Sequence, residues 1–402
     1  MTPETTIDEA ARSRRNVTLL AFAQALMMIG TSTMIAEAAL VGHMLAENKA
    51  LATLPMGFMQ LAAMLTTFPA SYLMKIKGRR FGFAIGAAFG IVAQAICVAA
   101  VLVGSFPLFC VGAAFNGVYN GFGLFYRFAA ADGASGAWKG KAISYVLAGG
   151  VLAGIFGPEL AKATHHLLDP VPFAGSFAAL ILVAIAAQIV VQFIDIPAPK
   201  GDERHGATRP ILELLAQPKV IVALIAGLVA YGGMSLVMNA TPLAMIACGH
   251  AFADAATTIQ AHVLAMFVPS FFTGTIVARF GLMRTMMAGA GLLAASAAVN
   301  LAGISFAHFY VGLILLGVGW NFLYIGGTTL LTEAYRPSEK AKMQAAYDFI
   351  IFGSVAATAA GAGAMQHAFG WDTINQFVLP FIVLAFAAIA WLAAKAPAKT
   401  RP

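Results

Sequence analysis

The sequence predicts an all-α membrane protein with twelve transmembrane helices in two pseudo-symmetric bundles of six. Of its 402 residues, 60% are hydrophobic and only 10% are charged, whereas soluble domains carry about 25% charged residues. Forty glycines suit helices that pack closely in lipid. Apolar stretches of the ~20 residues needed to cross a bilayer recur along the whole chain. A soluble enzyme with so little charge would lack a polar surface, so the lipid bilayer is the expected environment.

Polar residues divide the chain into two sets of six apolar stretches. The predicted N-terminal bundle covers residues 17–194, and the predicted C-terminal bundle covers residues 220–394. A tail at 1–16, a polar linker at 195–219 and a second tail at 395–402 are expected in the cytoplasm. The predicted spans are 17–42, 51–74, 81–103, 106–131, 142–162, 172–194, 220–246, 255–277, 284–304, 306–332, 346–366 and 373–394.

The distribution of Lys and Arg orients these spans. With the N-terminus in the cytoplasm, all but two of the 24 Lys and Arg residues fall in cytoplasmic segments, the exceptions being Lys49 and Lys162. Cytoplasmic loops of membrane proteins carry such an excess of basic residues. We therefore predict that both termini are cytoplasmic. The net charge of +7 is spread over short loops, which indicates membrane topology rather than a nucleic-acid partner.

The two predicted bundles share a weak internal repeat. Short matches recur at an offset of 200 residues, and they agree with the division into two sets of six spans. The matching positions are Val111-Gly112 with Val311-Gly312, Gly117-Val118 with Gly317-Val318, and Phe122 with Phe322. The repeat therefore indicates a duplicated six-helix unit.

The loops after the second and eighth predicted spans contain related basic turns. The first, residues 71–80, ends in Gly78-Arg79-Arg80, and the second, residues 274–281, ends in Arg279-Phe280-Gly281. With twelve spans and a central linker, these turns resemble the major facilitator superfamily, whose loop signature is G-x-x-x-D-R-x-G-R-R. Neither copy keeps the aspartate of that signature. The resemblance implies a secondary transporter that works by alternating access, and it makes Gly78, Arg79, Arg80, Arg279 and Gly281 candidate gating residues.

Two carboxylates within or beside predicted spans are candidate proton-coupling groups. Glu37 lies in the first span, where an unpaired charge is costly. Asp348 lies beside Tyr347 at the start of the eleventh span. A structural role for Glu37 near the outer surface and a helix-capping role for Asp348 are the alternatives.

Amide and aromatic residues form the candidate substrate site. Asn116 and Asn120 have the i, i+4 spacing of one helical face, as do Trp320 and Tyr324 at corresponding positions of the second half. Aromatic faces beside amides suit a flat, uncharged heterocycle that needs stacking and directional hydrogen bonds. The alternative is that these residues hold helices together. The full set is Asn116, Tyr119, Asn120, Asn239, His262, Trp320, Asn321 and Tyr324.

A further resemblance concerns the substrate. Residues 238–245, with Cys248 and His250, and then residues 262–274 are similar to a proteobacterial branch of the superfamily that includes riboflavin transporters. The resemblance implies vitamin uptake across a bacterial inner membrane. The alternative is proton-coupled efflux of drugs or other amphipathic compounds, although the antiporter glycine series is incomplete, with Ala161 and Lys162 at its end.

The remaining expectations concern activity and partners. The sequence has no nucleophile elbow, phosphate loop or metal-ligand spacing, so we expect a transporter and not an enzyme. We expect no cofactor and no metal. The expected partners are a small-molecule substrate, the lipid bilayer and protons, and we expect the chain to act as a monomer.

Overall fold

The computed structural model describes residues 3–132, 138–196, 209–336 and 339–395, which form helices joined by turns and short loops. The chain divides into an N-terminal unit, Met1–Gly201, and a C-terminal unit, Asp202–Pro402. The helices of the N-terminal unit are α1 (Pro3–Leu45), α2 (Leu54–Lys77), α3 (Arg79–Val103), α4 (Phe106–Gly123), α5 (Tyr126–Asp132), α6 (Trp138–Thr164) and α7 (Ala174–Gln192). Those of the C-terminal unit are α8 (Ile211–Leu215), α9 (Pro218–Gly227), α10 (Gly233–Ala247), α11 (Phe252–Phe267), α12 (Ser270–Phe280), α13 (Leu282–Ala302), α14 (Phe306–Thr332) and α15 (Lys340–Lys395).

Many of these helices are long and apolar enough to cross a bilayer. Within the described residues nine helices meet this condition, or ten if α11 and α12, which meet at a 45° bend, form one span. The eleventh and twelfth predicted spans both lie within α15, whose backbone is non-helical at Gly370. The all-helical membrane fold is confirmed, and the count of twelve spans stays a prediction.

Three predicted spans are less regular than the sequence indicates. The fourth is divided into α4 and α5, and the seventh contains a turn of π-helix, Leu228–Gly232, between α9 and α10. The eighth is broken between α11 and α12 at Val268 and Pro269. Proline has no N–H to donate and its ring crowds the preceding turn, so Pro269 accounts for the break.

The predicted linker and tails are only partly described. Residues 197–208 of the linker and residues 396–402 of the C-terminal tail lie outside the described residues. Helix α1 begins at Pro3, so the described part of the predicted N-terminal tail continues the first helix.

Glycines set the helix spacing in both units. In the N-terminal unit α2 packs on α4, and a Cβ at Gly117 would overlap the Met59 carbonyl oxygen. In the C-terminal unit α11 packs on α14, and a Cβ at Gly317 would crowd the His262 carbonyl oxygen. The same glycine position, 200 residues apart, therefore holds equivalent helix pairs in close contact, as the internal repeat indicates.

Candidate functional site

An aromatic cluster lies in the C-terminal unit where α14 meets the π-helical turn. The rings of Trp320 and Tyr324 stack at a centroid distance of 5.2 Å and an interplanar angle of 17°. Tyr231, from the π-helical turn, lies 5.1 Å from Tyr324 and 5.4 Å from Trp320. Phe267 and Phe352 pack edge-on against Trp320 and Tyr231, respectively. Tyr231 and Tyr324 are half-buried, so the cluster keeps accessible aromatic surface.

Trp320 adds a polar group to this cluster. The Trp320 side chain is 7% exposed, and its Nε1–H has no hydrogen-bond partner within the described residues. A buried indole N–H usually has a partner. The cluster therefore combines partly accessible aromatic faces with a buried indole N–H that has no partner among the described residues.

Asn321, the neighbour of Trp320, is fully engaged within the protein. Its Nδ2 donates to the Met266 carbonyl at 2.7 Å and to Ser270 Oγ at 2.6 Å. Its Oδ1 accepts from Thr273 Oγ1 at 2.6 Å. These partners lie on both sides of the break between α11 and α12. The structure thus places the Asn321 amide at the broken helix rather than toward a free surface.

The other two candidates of the C-terminal unit are also buried. Asn239 Nδ2 donates to the carbonyl of Ser235, one turn earlier in α10, at 2.7 Å. His262 is 0% exposed, and its Nδ1 lies 2.8 Å from the Leu313 carbonyl. That carbonyl can only accept, so Nδ1 carries the proton and Nε2 is left as an acceptor without a partner within the described residues.

The candidates of the N-terminal unit face neighbouring helices. Asn116 is buried; its Oδ1 accepts from Gln94 Nε2 at 3.2 Å. The ring of Tyr119 is also buried and packs against Gly90 of α3. Asn120 is half-buried and accepts from Thr31 Oγ1 of α1 at 3.0 Å. Of the three, Asn120 is the side chain that keeps exposed surface.

A cavity of about 280 Å³ lies near the aromatic cluster in the C-terminal unit. Its hydroxyl groups, those of Ser354 and Thr358, donate to carbonyls of their own helix at 2.7 and 2.9 Å. The rest of its lining is Leu228, Val229, Gly232, Gly233, Leu236, Phe377, Val378 and Phe381. This lining offers apolar contact but no free polar group to orient a heterocycle, so the aromatic cluster is the better candidate for recognition.

Glu37 is buried in the N-terminal unit. Its side chain is 0% exposed, and Oε1 accepts from Ser176 Oγ of α7 at 2.6 Å. Among the residues that the structure describes, Oε2 has no hydrogen-bond partner and no Lys or Arg forms an ion pair with Glu37. Ionisation here would leave a buried, uncompensated charge, which is costly. The surroundings therefore suit the neutral acid.

Asp348 lies in the first part of α15 and is half-buried. The neighbouring Tyr347 is 1% exposed, and its hydroxyl lies 3.4 Å from the Ala223 carbonyl of α9. Asp348 is thus more accessible than Glu37.

The two basic turns have the same backbone geometry. Gly78 has φ 85° and ψ 164°, and Gly281 has φ 90° and ψ 151°. In each turn the glycine N–H donates to the carbonyl four residues earlier. Arg79 lies 5.7 Å from the Phe125 ring, Arg80 is exposed, and Arg279 lies 5.4 Å from the Phe280 ring. Positive φ explains why glycine occupies both turns.

Sequence reasoning missed several polar partners of the predicted residues. Thr31, Gln94 and Ser176 contact candidates that lie 89, 22 and 139 residues away in the chain. Ser176 directly follows Gly175 at the start of α7. A Gly-Ser pair at the start of a helix does not predict a hydrogen bond to a carboxylate far away in the sequence.

The sequence profile of the Major Facilitator Superfamily matches residues 20–299 and 223–402, which together cover most of the chain. This chain belongs to the Major Facilitator Superfamily. It is a multi-pass membrane transporter for a small-molecule substrate, as the loop motif and the helical fold predict.

Individual relatives agree with this assignment. The transporter is 40% identical over 378 residues to the riboflavin transporter RfnT of Brucella anthropi, which covers 94% of this chain and 95% of that protein. It is 28% identical to the uncharacterized MFS-type transporter YddS of Bacillus subtilis, over 87% of this chain and 84% of that one.

Solved structures show the same fold at low sequence identity. The nucleoside transporter NupG matches with a TM-score of 0.75 at 13% identity, covering 93% of this chain and 99% of that one. The POT family transporter PepTSo matches with a TM-score of 0.72 at 11% identity, covering 94% and 97%. These likenesses support the fold of this transporter and leave its substrate open.

Proposed function

We propose that this transporter takes up riboflavin by alternating access. The observation that carries the proposal is the 40% identity to a riboflavin transporter over 94% of the chain. We place the transporter in a bacterial inner membrane as a monomer with both termini in the cytoplasm, in line with the distribution of its basic residues.

The aromatic cluster supplies the recognition that such a substrate requires. Riboflavin carries a flat, uncharged ring system with carbonyl and ring-nitrogen acceptors. The half-buried faces of Tyr231 and Tyr324 would stack on this ring system. Trp320 Nε1–H, which is buried in this conformation, would become accessible during the transport cycle and donate to one of its acceptors. Asn120, Asn239 and His262 remain secondary candidates. Asn116, Tyr119 and Asn321 would support the site by holding helices in place.

Growth and uptake test the substrate. Expression of the chain should rescue a riboflavin auxotroph at limiting riboflavin and produce saturable uptake of labelled riboflavin. Failure of rescue in cells that insert the protein in the membrane would remove riboflavin as the substrate. Energy-dependent expulsion of amphipathic dyes would then favour the efflux alternative.

Substitution of Trp320 tests the site. Trp320→Phe keeps an aromatic ring but removes the N–H, so the KM for riboflavin should rise by up to about tenfold, the value of one hydrogen bond. Trp371→Phe is the matched control, because Trp371 is 6% exposed, packs on Phe309, and also has an Nε1–H without a partner in the described residues. Equal KM values for the two variants would contradict the proposed site.

We further propose that protons drive uptake through Glu37. Its neutral form fits the site, and a cycle that ionises it in one conformation would couple substrate movement to proton entry. Glu37→Gln should abolish accumulation driven by an imposed pH gradient in vesicles while riboflavin exchange continues. If accumulation persists, Asp348 becomes the coupling candidate. The two basic turns would stabilise one gate state through contacts such as Arg79 with Phe125.

A further inference from the structure

Glu37 is the inner end of a chain of three hydrogen-bonding side chains. Ser176 Oγ of α7 lies 2.6 Å from Glu37 Oε1, and Thr164 Oγ1 of α6 lies 3.2 Å from Ser176 Oγ. Glu37 and Ser176 are 0% exposed, whereas Thr164, the last residue of α6, is partly exposed. This series of hydrogen bonds therefore runs from the end of α6, at the α6–α7 loop, to a carboxyl group that is otherwise enclosed.

The start of α7 is built to hold Ser176 against Thr164. A Cβ on Gly175 would overlap the Thr164 carbonyl oxygen, so glycine is required for this approach. The loop before it is closed by the Phe173 N–H, which donates to the His165 carbonyl at 2.7 Å. Because Ser176 directly follows Gly175, its hydroxyl is brought beside that of Thr164.

The three side chains can stay hydrogen-bonded, through Glu37 Oε1, in either protonation state of the carboxyl group. The Thr164 hydroxyl has one hydrogen and lies within hydrogen-bond distance of two acceptors, the Leu160 carbonyl at 2.6 Å and Ser176 Oγ at 3.2 Å. When Glu37 is ionised, Ser176 O–H donates to Oε1 and Thr164 O–H donates to Ser176 Oγ. When Glu37 is protonated, its O–H donates to Ser176 Oγ, and the Ser176 hydrogen turns toward Thr164. Rotation of the Ser176 and Thr164 hydroxyls thus separates two arrangements in which the three side chains stay hydrogen-bonded.

We propose that Ser176 and Thr164 relay the proton between the α6–α7 loop and Glu37. The inference rests on the proposed proton coupling. A proton from water adds to Thr164 Oγ1, a proton of Thr164 passes to Ser176 Oγ, and the original Ser176 proton passes to Glu37 Oε1. Both hydroxyls end neutral and the carboxylate ends as the acid, so one proton enters and one is bound. The reverse sequence releases it.

Within the described part of the chain, the charged groups around this end of the bundle form no ion pair with the Glu37 carboxyl group. Lys162 pairs with Glu159, and the His166 ring lies 3.1 Å from Asp169. His165 Nδ1 lies 2.9 Å from the Lys162 carbonyl. Helix α7 has no titratable residue. The titratable groups near this end are His43 of α1, Glu159 and Lys162 of α6, and His165, His166 and Asp169 of the α6–α7 loop.

Infrared spectroscopy of the purified protein in lipid tests the relay without any substrate. The carboxylic-acid C=O band lost in Glu37→Gln belongs to Glu37, and its shift on transfer to D₂O reports the rate of proton exchange. Ser176→Ala and Thr164→Val should each slow this exchange by about tenfold or more, because each removes one hydrogen bond of the chain. Thr164→Ser, which keeps the hydroxyl, should restore the parental rate.

The matched control is Thr33→Val. Thr33 Oγ1 of α1 donates to the Gly157 carbonyl of α6 at 2.9 Å, so this variant loses a buried hydroxyl contact between helices but leaves the relay intact. Its exchange rate should equal that of the parent. An unchanged rate in Thr164→Val, at the partly exposed end of the chain, would overturn the relay, as would slowing in Thr33→Val of the same size.

The test separates this inference from the proposed function. If Glu37→Gln removes no carboxylic-acid band, both the relay and proton coupling at Glu37 are wrong, whereas riboflavin uptake can still be measured in cells. If riboflavin is not transported but exchange slows in the relay variants, the relay stands and the substrate assignment fails.

Discussion

The side-chain amide of a single residue, Asn321, holds the two parts of a broken helix together. The break at Val268 and Pro269 leaves the end of α11 without regular helical hydrogen bonds. Asn321 donates to the Met266 carbonyl and to Ser270 Oγ and accepts from Thr273. An unsatisfied polar group is costly inside a membrane protein. Asn321 therefore fixes the bend between α11 and α12.

Asn321→Ala should lower the thermal stability of the purified transporter. The substitution leaves buried partners unsatisfied, at a cost of about 1–3 kcal/mol. Asn239→Ala is a suitable comparison, because Asn239 is also buried but its Nδ2 bonds, within the described ranges, only to Ser235 of its own helix. Thermal unfolding in detergent should show the larger loss for Asn321→Ala, and a larger loss for Asn239→Ala would contradict the bracing role.

An ion pair joins two elements of the C-terminal unit, the segment before α8 and the start of α15. Arg209 Nε and Nη2 each donate to the Glu339 carboxylate at 2.7 Å, and the Arg336 N–H adds a bond of 3.0 Å. The Glu339 side chain is 0% exposed. Lys342 Nζ also donates to the Arg209 carbonyl at 2.8 Å. The connection from the linker to α15 is therefore made within the C-terminal unit.

This ion pair should make stability depend on acid pH. The hydrogen bonds from Arg209, followed by that from Arg336, lower the pKa of Glu339 from 4.5 to about 2. A lowered pKa means that the stabilising contribution is present above the unfolded value and is lost as pH falls from about 4.5 toward about 2. Thermal unfolding of the parent and of Glu339→Gln should therefore differ most near neutral pH and converge in acid. A difference that does not change with pH would contradict this assignment.

Close helix packing is the second feature of the elements. Gly117→Ala should disrupt the α2–α4 contact, since its Cβ would meet the backbone carbonyl of Met59. Gly361→Ala is the control, because a Cβ on Gly361 has nothing within 4 Å and alanine is favoured in helices by about 1 kcal/mol. Membrane expression and thermal stability should fall for Gly117→Ala and hold or rise for Gly361→Ala.

The two units of the whole molecule share backbone geometry but differ in chemistry. Gly78 and Gly281 adopt the same unusual backbone conformation 203 residues apart. The position of Trp320 is instead occupied by Asn120 in the N-terminal unit, at the offset of 200. The two units thus share the glycines that set helix spacing and turns, whereas their polar and aromatic positions differ.

The native cysteines offer a test of topology. Cys248 is exposed at the end of α10, on the predicted outer side, whereas Cys97 and Cys110 are buried. In intact cells an impermeant maleimide should label Cys248, and in a Cys248→Ser background it should not label His205→Cys in the linker. Partial desolvation, with Asp372, raises the pKa of the Cys248 thiol, so labelling is best done at mildly alkaline pH. Labelling of the linker cysteine would reverse the topology.

The sequence by itself determined the membrane class, the helical fold, the family and the glycine turns, because these depend on composition, apolar length and local backbone preference. It also identified Trp320 and Tyr324 as an i, i+4 pair, and the structure stacks them. Tertiary structure decided which polar side chains have partners. The Asn321 amide is hydrogen-bonded to both parts of the broken helix. The Trp320 N–H has no hydrogen-bond partner in the described part of the chain. Glu37 is hydrogen-bonded to Ser176, which lies 139 residues away in the sequence. Helix periodicity does not predict such a contact, because it depends on which helices pack together.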